Sequence, residues 1–163
     1  MKLGKTSIAI IILAIAVVVL LAVAYALPTQ QQMPKSFRIR NQTYDLTAYA
    51  YTPQQQEQGL MNAPVTNSTF MLFAFGQEGI YPFWMKNTYT PLDIVWINYS
   101  TAANTGRIVY SVNATPCASY DAQQSNCIVY IPKSEANYVI ETKSGFLEEH
   151  GIKNGTAVMF IYK

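Results

Sequence analysis

The amino-acid sequence predicts a mainly β protein: a compact sandwich- or barrel-like domain with one or two short helices, behind one N-terminal transmembrane helix. Three observations give this prediction. An unbroken apolar run fills residues 8–27, and after it short apolar or alternating segments follow one another at regular spacing, with turn residues between them. The chain has 163 residues, which is enough for one domain with its own core once the apolar run is set aside.

Residues 8–27 are long enough for a membrane helix, because about 20 apolar residues span the roughly 30 Å of hydrocarbon in a bilayer. Lys2 and Lys5 precede the run and the next charge is Lys35, so the positive-inside rule places the N-terminus in the cytoplasm. A small-residue motif at Ala24-Tyr25-Ala26 leaves secretion after cleavage near Ala26 as the alternative to a retained anchor. We expect a cytoplasmic N-terminus at 1–6, a signal anchor in the cell membrane at 7–27, a polar tether at 28–36 and an extracytoplasmic β-domain at 37–163.

The first part of this domain predicts two strands and a helix. Residues 37–40 and 46–51 alternate between apolar and polar side chains, which is typical of strands, and residues 41–43 form the predicted turn between them. A short helix follows, with Thr52 as its N-cap, Pro53 in the first helical position, Gln55 completing a capping box and Gly59 at its end.

The middle of the domain predicts three more strands. Residues 70–75 are a continuous apolar run, which is typical of a strand buried on both faces. The stretch 83–98 contains both tryptophans and is interrupted by Pro91. Because proline disfavours the interior of a sheet, the stretch divides into a strand at 83–87 and another at 92–98.

The last part of the domain completes the sheet. Residues 107–112 alternate and are the predicted hairpin partner of the strand at 92–98. Ser144 is expected to cap a short helix that ends at His150-Gly151, where the glycine supplies a left-handed residue. Further strands are predicted at 128–131, 138–142 and 157–162.

Two features indicate an oxidising exterior. Cys117 and Cys127 are the only cysteines, and an even count in an exported domain predicts one disulfide that closes a short loop. Five of the ten asparagines lie in glycosylation sequons, where chance gives about one or two, so the excess favours a glycoprotein of an archaeal or eukaryotic cell surface. The sequons are at Asn41, Asn67, Asn98, Asn113 and Asn154.

The charge of the exported part argues against a nucleic-acid partner. The whole chain has 11 basic and 9 acidic residues, and two of the basic residues, Lys2 and Lys5, precede the membrane segment. The rest of the chain is therefore neutral, and its densest basic cluster is Arg38-Ile39-Arg40. Such a surface does not provide the row of cations that follows a phosphate backbone.

Several motifs of the domain resemble a known family. Gly59-Leu60-Met61, Met71-Leu72-Phe73, the run from Phe83 to Thr88 with Pro91-Leu92-Asp93-Ile94, and Tyr138-Val139-Ile140-Glu141 occur in the order seen in the family called domain of unknown function 192. The resemblance extends over roughly residues 45–162, and the run Phe83 to Thr88 is its most specific part. It implies a compact, mainly β, sandwich-like domain of prokaryotes, often behind a signal sequence or anchor, with no established reaction.

The central stretch is also the predicted site. Lys86 and Asp93 are the only charged residues between 83 and 98, and side chains of a hairpin can meet across its strands, as an ion pair or as polar contacts in a groove walled by tryptophan. Our leading hypothesis is therefore non-catalytic binding of an extracytoplasmic ligand or partner. The predicted ligand-binding residues are Trp84, Lys86, Asn87, Thr88, Asp93 and Trp96.

Two other functions are open at this point. A cell-envelope hydrolase would use Asp93 with His150, the only histidine, and would need the two side chains within hydrogen-bond reach. A copper-handling protein would use Met61, Met71 and Met85 with His150, although methionine is also an ordinary core residue. No serine lies in a nucleophile-elbow context and both cysteines are expected to be oxidised, which argues against an acyl-transfer enzyme. We assign no catalytic residue, metal site or cofactor.

Overall fold

A computed structural model of the chain describes residues 13–17, 33–117 and 127–162. Residues 13–17 are helical; the predicted cytoplasmic N-terminus, the remainder of the predicted signal anchor and the tether up to residue 32 lie outside the described residues. No helix in the part of the chain that the structure describes reaches the length and apolarity of a membrane span.

From Pro34 onward the described residues form ten strands and two short helices, which confirms the predicted mainly β class. The strands are β1 (Ser36–Ile39), β2 (Gln42–Asp45), β3 (Ala48–Ala50), β4 (Phe70–Gly79), β5 (Phe83–Trp84), β6 (Leu92–Ser100), β7 (Thr105–Ala114), β8 (Val129–Tyr130), β9 (Ala136–Lys143) and β10 (Ala157–Ile161); the helices are α1 (Pro53–Gln58) and α2 (Phe146–Glu149).

Eight of the strands make one sheet in the order β2-β1-β10-β7-β6-β9-β4-β3, and β5 pairs with β8 in a separate two-stranded ribbon. Neighbouring strands of the large sheet are antiparallel except β3 and β4, which are parallel. The sheet curls into a half-barrel. Four strands lie between β1 and β4 in the sheet, yet the ring centroids of Phe37 in β1 and Phe70 in β4 are 5.3 Å apart across the curl.

The two faces of β9 meet two different environments, because successive side chains of a strand point to opposite sides. Glu141 is paired with Met71 and Ile94 and faces the apolar cluster that also contains Leu60 and Phe73. Thr142 is paired with Phe70 and faces the aromatic interior of the half-barrel. Both faces of β9 are therefore covered, so a polar side chain on either face is buried.

The predicted start of the first helix is confirmed. Thr52 Oγ1 accepts a hydrogen bond from the Gln55 amide at 3.3 Å, and Gln55 Oε1 accepts one from the Thr52 amide at 3.1 Å, which is the predicted capping box. Pro53 occupies the first turn, and Gly59 ends the helix with φ +46°.

Several other elements are also confirmed. The buried strand expected at 70–75 is the first half of β4, and β6 pairs with β7 as expected. The predicted left-handed Gly151 has φ +59° after α2. The sulfurs of Cys117 and Cys127 are bonded to each other, with their Cα atoms 5.1 Å apart.

Two predictions about local pairing are wrong. The expected turn at 41–43 is a turn at Arg40 and Asn41 instead, because Arg40 takes a left-handed φ of 54°, and Gln42 already begins β2. The strand expected at 83–87 ends at Trp84 and pairs with β8, not with β6. Asn87 has φ +53°, and the amide of Thr88 donates to the carbonyl of Met85 at 3.3 Å, so the chain turns where the strand was expected to continue.

The predicted cap of the second helix is also wrong. Gly145, with φ +99°, is the N-cap residue of α2, and it makes no side-chain capping bond. The amide of Leu147 in the first turn donates instead to a carboxylate oxygen of Asp93 at 2.9 Å. An acid 54 residues away in the sequence therefore does what Ser144 was expected to do.

Candidate functional site

Glu141 is a buried acid with an oxygen to which no described residue donates a hydrogen bond. It lies in the middle of β9, is 4% exposed, and its Oε2 has no hydrogen-bond partner within the described residues. Burial raises the pKa of its carboxyl group from 4.5 to about 8, and a backbone hydrogen bond with Leu60 lowers that pKa by a smaller amount. The carboxyl group is therefore mainly neutral at pH 7.

A small pocket opens beside Glu141. It provides about 20 Å³ of space, which is room for about one water-sized group. Three aromatic side chains form part of its wall, and the rest comes from α1, the loop that follows α1 and the turn that follows β5. The lining residues are Gln56, Glu57, Gln58, Gly59, Leu60, Met61, Phe73, Phe83, Trp84, Thr88 and Glu141.

Gly59 keeps this pocket open. A Cβ atom at this position would lie in tight contact with Phe73 Cζ at 3.3 Å and in van der Waals contact with Glu141 Oε2 at 3.5 Å, so a side chain here would take up space beside the acid. The positive φ of Gly59 is also a conformation that residues with a Cβ rarely adopt. Helix α1 thus ends beside Glu141, and the backbone of the next residue, Leu60, forms a hydrogen bond with the carboxyl group of Glu141.

Hydrogen bonds join the two loops that flank the pocket. The amide of Asn62 donates to the carbonyl of Asn87 at 2.8 Å, and the hydroxyl of Tyr89 donates to Asn62 Oδ1 at 2.9 Å. Thr88 is buried, and its hydroxyl donates to the carbonyl of Lys86 at 3.3 Å. These contacts hold the turn after β5 against the loop after α1.

Among the predicted ligand-binding residues, Trp84 and Thr88 line this pocket. Lys86 lies beside it, with its ammonium 5.0 Å from the centroid of the Trp84 ring. Asn87 is half-buried in the neighbouring turn. Trp96 is fully buried in the core, where its Nε1 donates to the carbonyl of Tyr81 at 2.8 Å, so it does not wall a groove.

Asp93 is held elsewhere. Its Oδ1 accepts from Asn113 Nδ2 and its Oδ2 accepts from the amide of Leu147, each at 2.9 Å. The ammonium of Lys86 rests on the Trp84 ring, so the predicted ion pair between Lys86 and Asp93 is not formed. The physical reason is that β5 pairs with β8, so these two residues are not hairpin neighbours.

His150 lies at a different pocket, which has about 170 Å³ of space and is lined also by Thr142 and Lys143 at the end of β9. Its Nδ1 is 2.9 Å from the carbonyl of Phe146, and its ring packs against Tyr44 and Phe146. Asp93 instead lines a polar groove with Ser111 and Glu148. The structure therefore gives the two residues of the hydrolase hypothesis different partners.

The methionines considered for copper are also dispersed. Met71 and Met85 are buried in the core cluster, Met61 lines the Glu141 pocket, and His150 lies at the other pocket. Within residues 13–17, 33–117 and 127–162, no group of three or more His, Cys, Asp or Glu side chains could hold a metal ion.

The predicted sequons lie on the domain surface with one exception. Asn41, Asn67, Asn113 and Asn154 are exposed, whereas Asn98 is half-buried in β6. The side chain of Asn113 is already engaged with Asp93, as described above.

Sequence reasoning missed Glu141, although a signal for it was present. The run Tyr138-Val139-Ile140 has no alternation, and a strand of this kind is buried on both faces. Glu141 continues that run, so burial was to be expected whichever face it occupied.

The fold and the pocket define a small half-barrel β domain built around a buried acid. The family described as "Uncharacterized ACR", DUF192, matches residues 36–160, and the chain belongs to this family. The predicted resemblance is thus confirmed. No curated protein matches the chain.

Two solved structures resemble the chain. A protein from Sinorhizobium meliloti 1021, described as a candidate transcription regulator, is 30% identical, with a TM-score of 0.63 over 79% of this chain and 95% of that one. A protein of unknown function from Novosphingobium aromaticivorans DSM 12444 is 22% identical, with a TM-score of 0.61 over 80% of this chain and 88% of that one. The second likeness concerns the fold alone.

Proposed function

We propose that the chain is a membrane-anchored, extracytoplasmic binding protein without a catalytic step, and that its binding site is the Glu141 pocket. One observation carries this proposal: the buried carboxyl group of Glu141 lines a pocket, and its Oε2 has no hydrogen-bond partner within the described residues. A buried polar atom left unpaired costs about 1–3 kcal/mol. A ligand whose polar end group pairs with Glu141 Oε2 recovers that cost on binding.

The lining of the pocket supports the proposal independently. Gly59-Leu60-Met61, the segment Phe83 to Thr88 and Glu141 are three of the stretches by which the chain resembles its family, and they are far apart in the sequence. All three contribute residues to this one pocket. Of the residues predicted to bind a ligand, we therefore propose a binding role for Trp84 and Thr88. We propose a structural role for Asp93 and Trp96.

The test of the binding site uses five small molecules that each carry one end group: methylammonium, guanidinium, acetamide, acetate and methanol. The full-length protein is titrated with each, and the fluorescence of Trp84, which lines the pocket and is 37% exposed, reports occupancy. We expect at least one compound to bind saturably, and Glu141→Gln to weaken that binding at least tenfold. Glu148→Gln, an exposed acid outside the pocket, is the matched control. The site assignment fails if none of the five binds.

The membrane part of the proposal rests on the apolar run at 8–27 and has its own test. Carbonate extraction of membranes from producing cells should leave the full-length 18.2 kDa chain in the pellet. Protease added to intact cells stripped of their outer layers should then digest the domain. A soluble product that begins shortly after Ala26 would instead establish cleavage and secretion.

A further inference from the structure

We infer that the end group bound beside Glu141 is a primary ammonium, such as the side chain of a lysine or the N-terminus of a peptide. This inference rests on the proposed function and names its ligand class. Three properties of the pocket carry it: the charges that face it, the aromatic side chains of its wall, and its size.

The charges of the pocket favour a cation. Its ionisable lining residues are Glu141 and Glu57, and none of the described residues that line it is basic. The ammonium of Lys86 lies over the ring of Trp84, one of the lining residues. Glu57 is an acid, and Glu141 adds a second negative charge once its proton has left, so the pocket favours positive ligands over carboxylates.

The aromatic wall also favours a cation. Phe73, Phe83 and Trp84 line the pocket together, and the rings of Phe73 and Phe83 are in edge-to-face contact with centroids 4.8 Å apart. Ring faces attract ammonium groups, and tryptophan does so most strongly. Lys86 already makes this kind of contact with Trp84 from the protein's own chain.

The size of the pocket selects among cations. Space of about 20 Å³ holds a group as large as one water molecule, which suits an –NH₃⁺ head. A planar guanidinium or a quaternary ammonium is larger. An –NH₃⁺ group has three donors, and the pocket offers acceptors in Glu141 Oε2 and in the lone pairs of the Thr88 hydroxyl.

Binding of an ammonium must be coupled to a proton. The Glu141 carboxyl group is neutral at pH 7, and it becomes a carboxylate when the –NH₃⁺ group arrives; its proton leaves to solvent. The charged groups that face it are Glu57 on α1 and, beyond Trp84, Lys86. A neutral ligand would pair with the neutral acid and release no proton. Affinity for an ammonium therefore rises with pH until Glu141 is ionised in the free protein.

The experiment compares Nα-acetyl-lysinamide with Nα,Nε-diacetyl-lysinamide, which differs only by a neutral amide in place of the ammonium. Both are titrated into the full-length protein between pH 6 and pH 8, with Trp84 fluorescence as the readout. We expect the Kd of the first compound to fall about tenfold from pH 6 to pH 7. The acetylated compound should bind at least tenfold more weakly at pH 8, without this pH dependence.

Variants test the role of each group. Glu141→Gln should abolish the pH dependence and most of the affinity, Lys86→Gln should tighten binding a few-fold by removing a competing charge, and Glu148→Gln should leave binding unchanged. Near-ultraviolet circular dichroism checks that Glu141→Gln is folded, and Glu141→Asp serves as a second variant.

Equal binding of the two lysine compounds, or unchanged binding by folded Glu141→Gln, overturns the ammonium inference. If acetamide or methanol binds through Glu141 while the ammonium compounds do not, the inference fails and the proposed binding site stands. If no compound binds at all, both fail.

Discussion

Replacing Glu141 by Gln should change how the stability of the domain depends on pH. The pKa of Glu141 is about 8 in the folded state and 4.5 as an isolated side chain. Between these two values the folded protein holds a proton that the unfolded chain has released. The contribution of Glu141 to stability is therefore complete below pH 4.5 and is lost as the pH rises towards 8.

The size of the effect follows from this difference. Each pH unit between the two pKa values costs about 1.4 kcal/mol, so the free energy of unfolding should fall by about 3–4 kcal/mol from pH 5 to pH 8 because of this one group. Gln has nearly the same shape and no ionisable proton. Glu141→Gln should therefore remove this part of the pH dependence of the free energy of unfolding. The stability of the variant relative to the wild type should rise with pH.

The assay is urea unfolding of the full-length protein at pH 5, 6, 7 and 8, followed by the fluorescence of the buried Trp96. Other groups also titrate over this range, so the quantity of interest is the difference between wild type and Glu141→Gln at each pH. Glu148→Gln, an exposed acid, provides the matched control and should follow the wild type. Parallel curves for wild type and Glu141→Gln would refute the argument that burial keeps this acid neutral.

Three further changes test other parts of the structure by thermal or urea unfolding. Asp93→Asn replaces one of two acceptor oxygens by a donor facing Asn113 or Leu147, so it should cost about 1–3 kcal/mol; an unchanged midpoint would contradict the capping role of Asp93. Thr142→Val removes a buried hydroxyl whose Oγ1 has no partner within the described residues, so the free energy of unfolding should rise by about 1 kcal/mol. A lower free energy of unfolding would show that the hydroxyl has a hydrogen-bond partner. Reduction of the Cys117–Cys127 disulfide should cost about 2–3 kcal/mol, because the bond joins residues 10 apart in the sequence, and no effect of reductant would contradict a stabilising role of the bond.

The parts of the fold that the sequence predicted are those set by local signals. The capping box of α1 depends on Thr52 and Gln55, which are three residues apart. A contiguous apolar run predicts the first half of β4. The pairing of β5 with β8 depends on residues 84 and 129, which no local pattern connects. Two short apolar segments on either side of Pro91 are equally typical of a hairpin, and only the tertiary structure distinguishes the two arrangements.

The site was predicted in part for the same reason. Trp84 and Thr88 belong to a distinctive segment, and the structure places both at the pocket. Glu141 was missed because an acid in a strand usually faces solvent, and the apolar run before it, which indicated burial, does not show which segments cover β9. The cover on that face includes Leu60 and Phe83, from segments more than fifty residues earlier in the chain.

Asp93 and Glu141 are the two buried acids among the described residues, and their hydrogen-bond partners, more than their burial, distinguish a structural residue from a candidate binding residue. Asp93 is paired across β6 and β9 with Thr142, next to Glu141, and both acids are almost completely covered. Each oxygen of Asp93 accepts a hydrogen bond from the protein, so neither oxygen of Asp93 lacks a partner. Glu141 Oε2 has no partner within the described residues, and a Cβ atom at Gly59 would lie 3.5 Å from it. Both acids lie in apolar segments of neighbouring strands, and the difference between them is that the described residues provide donors to both oxygens of Asp93 and none to Glu141 Oε2.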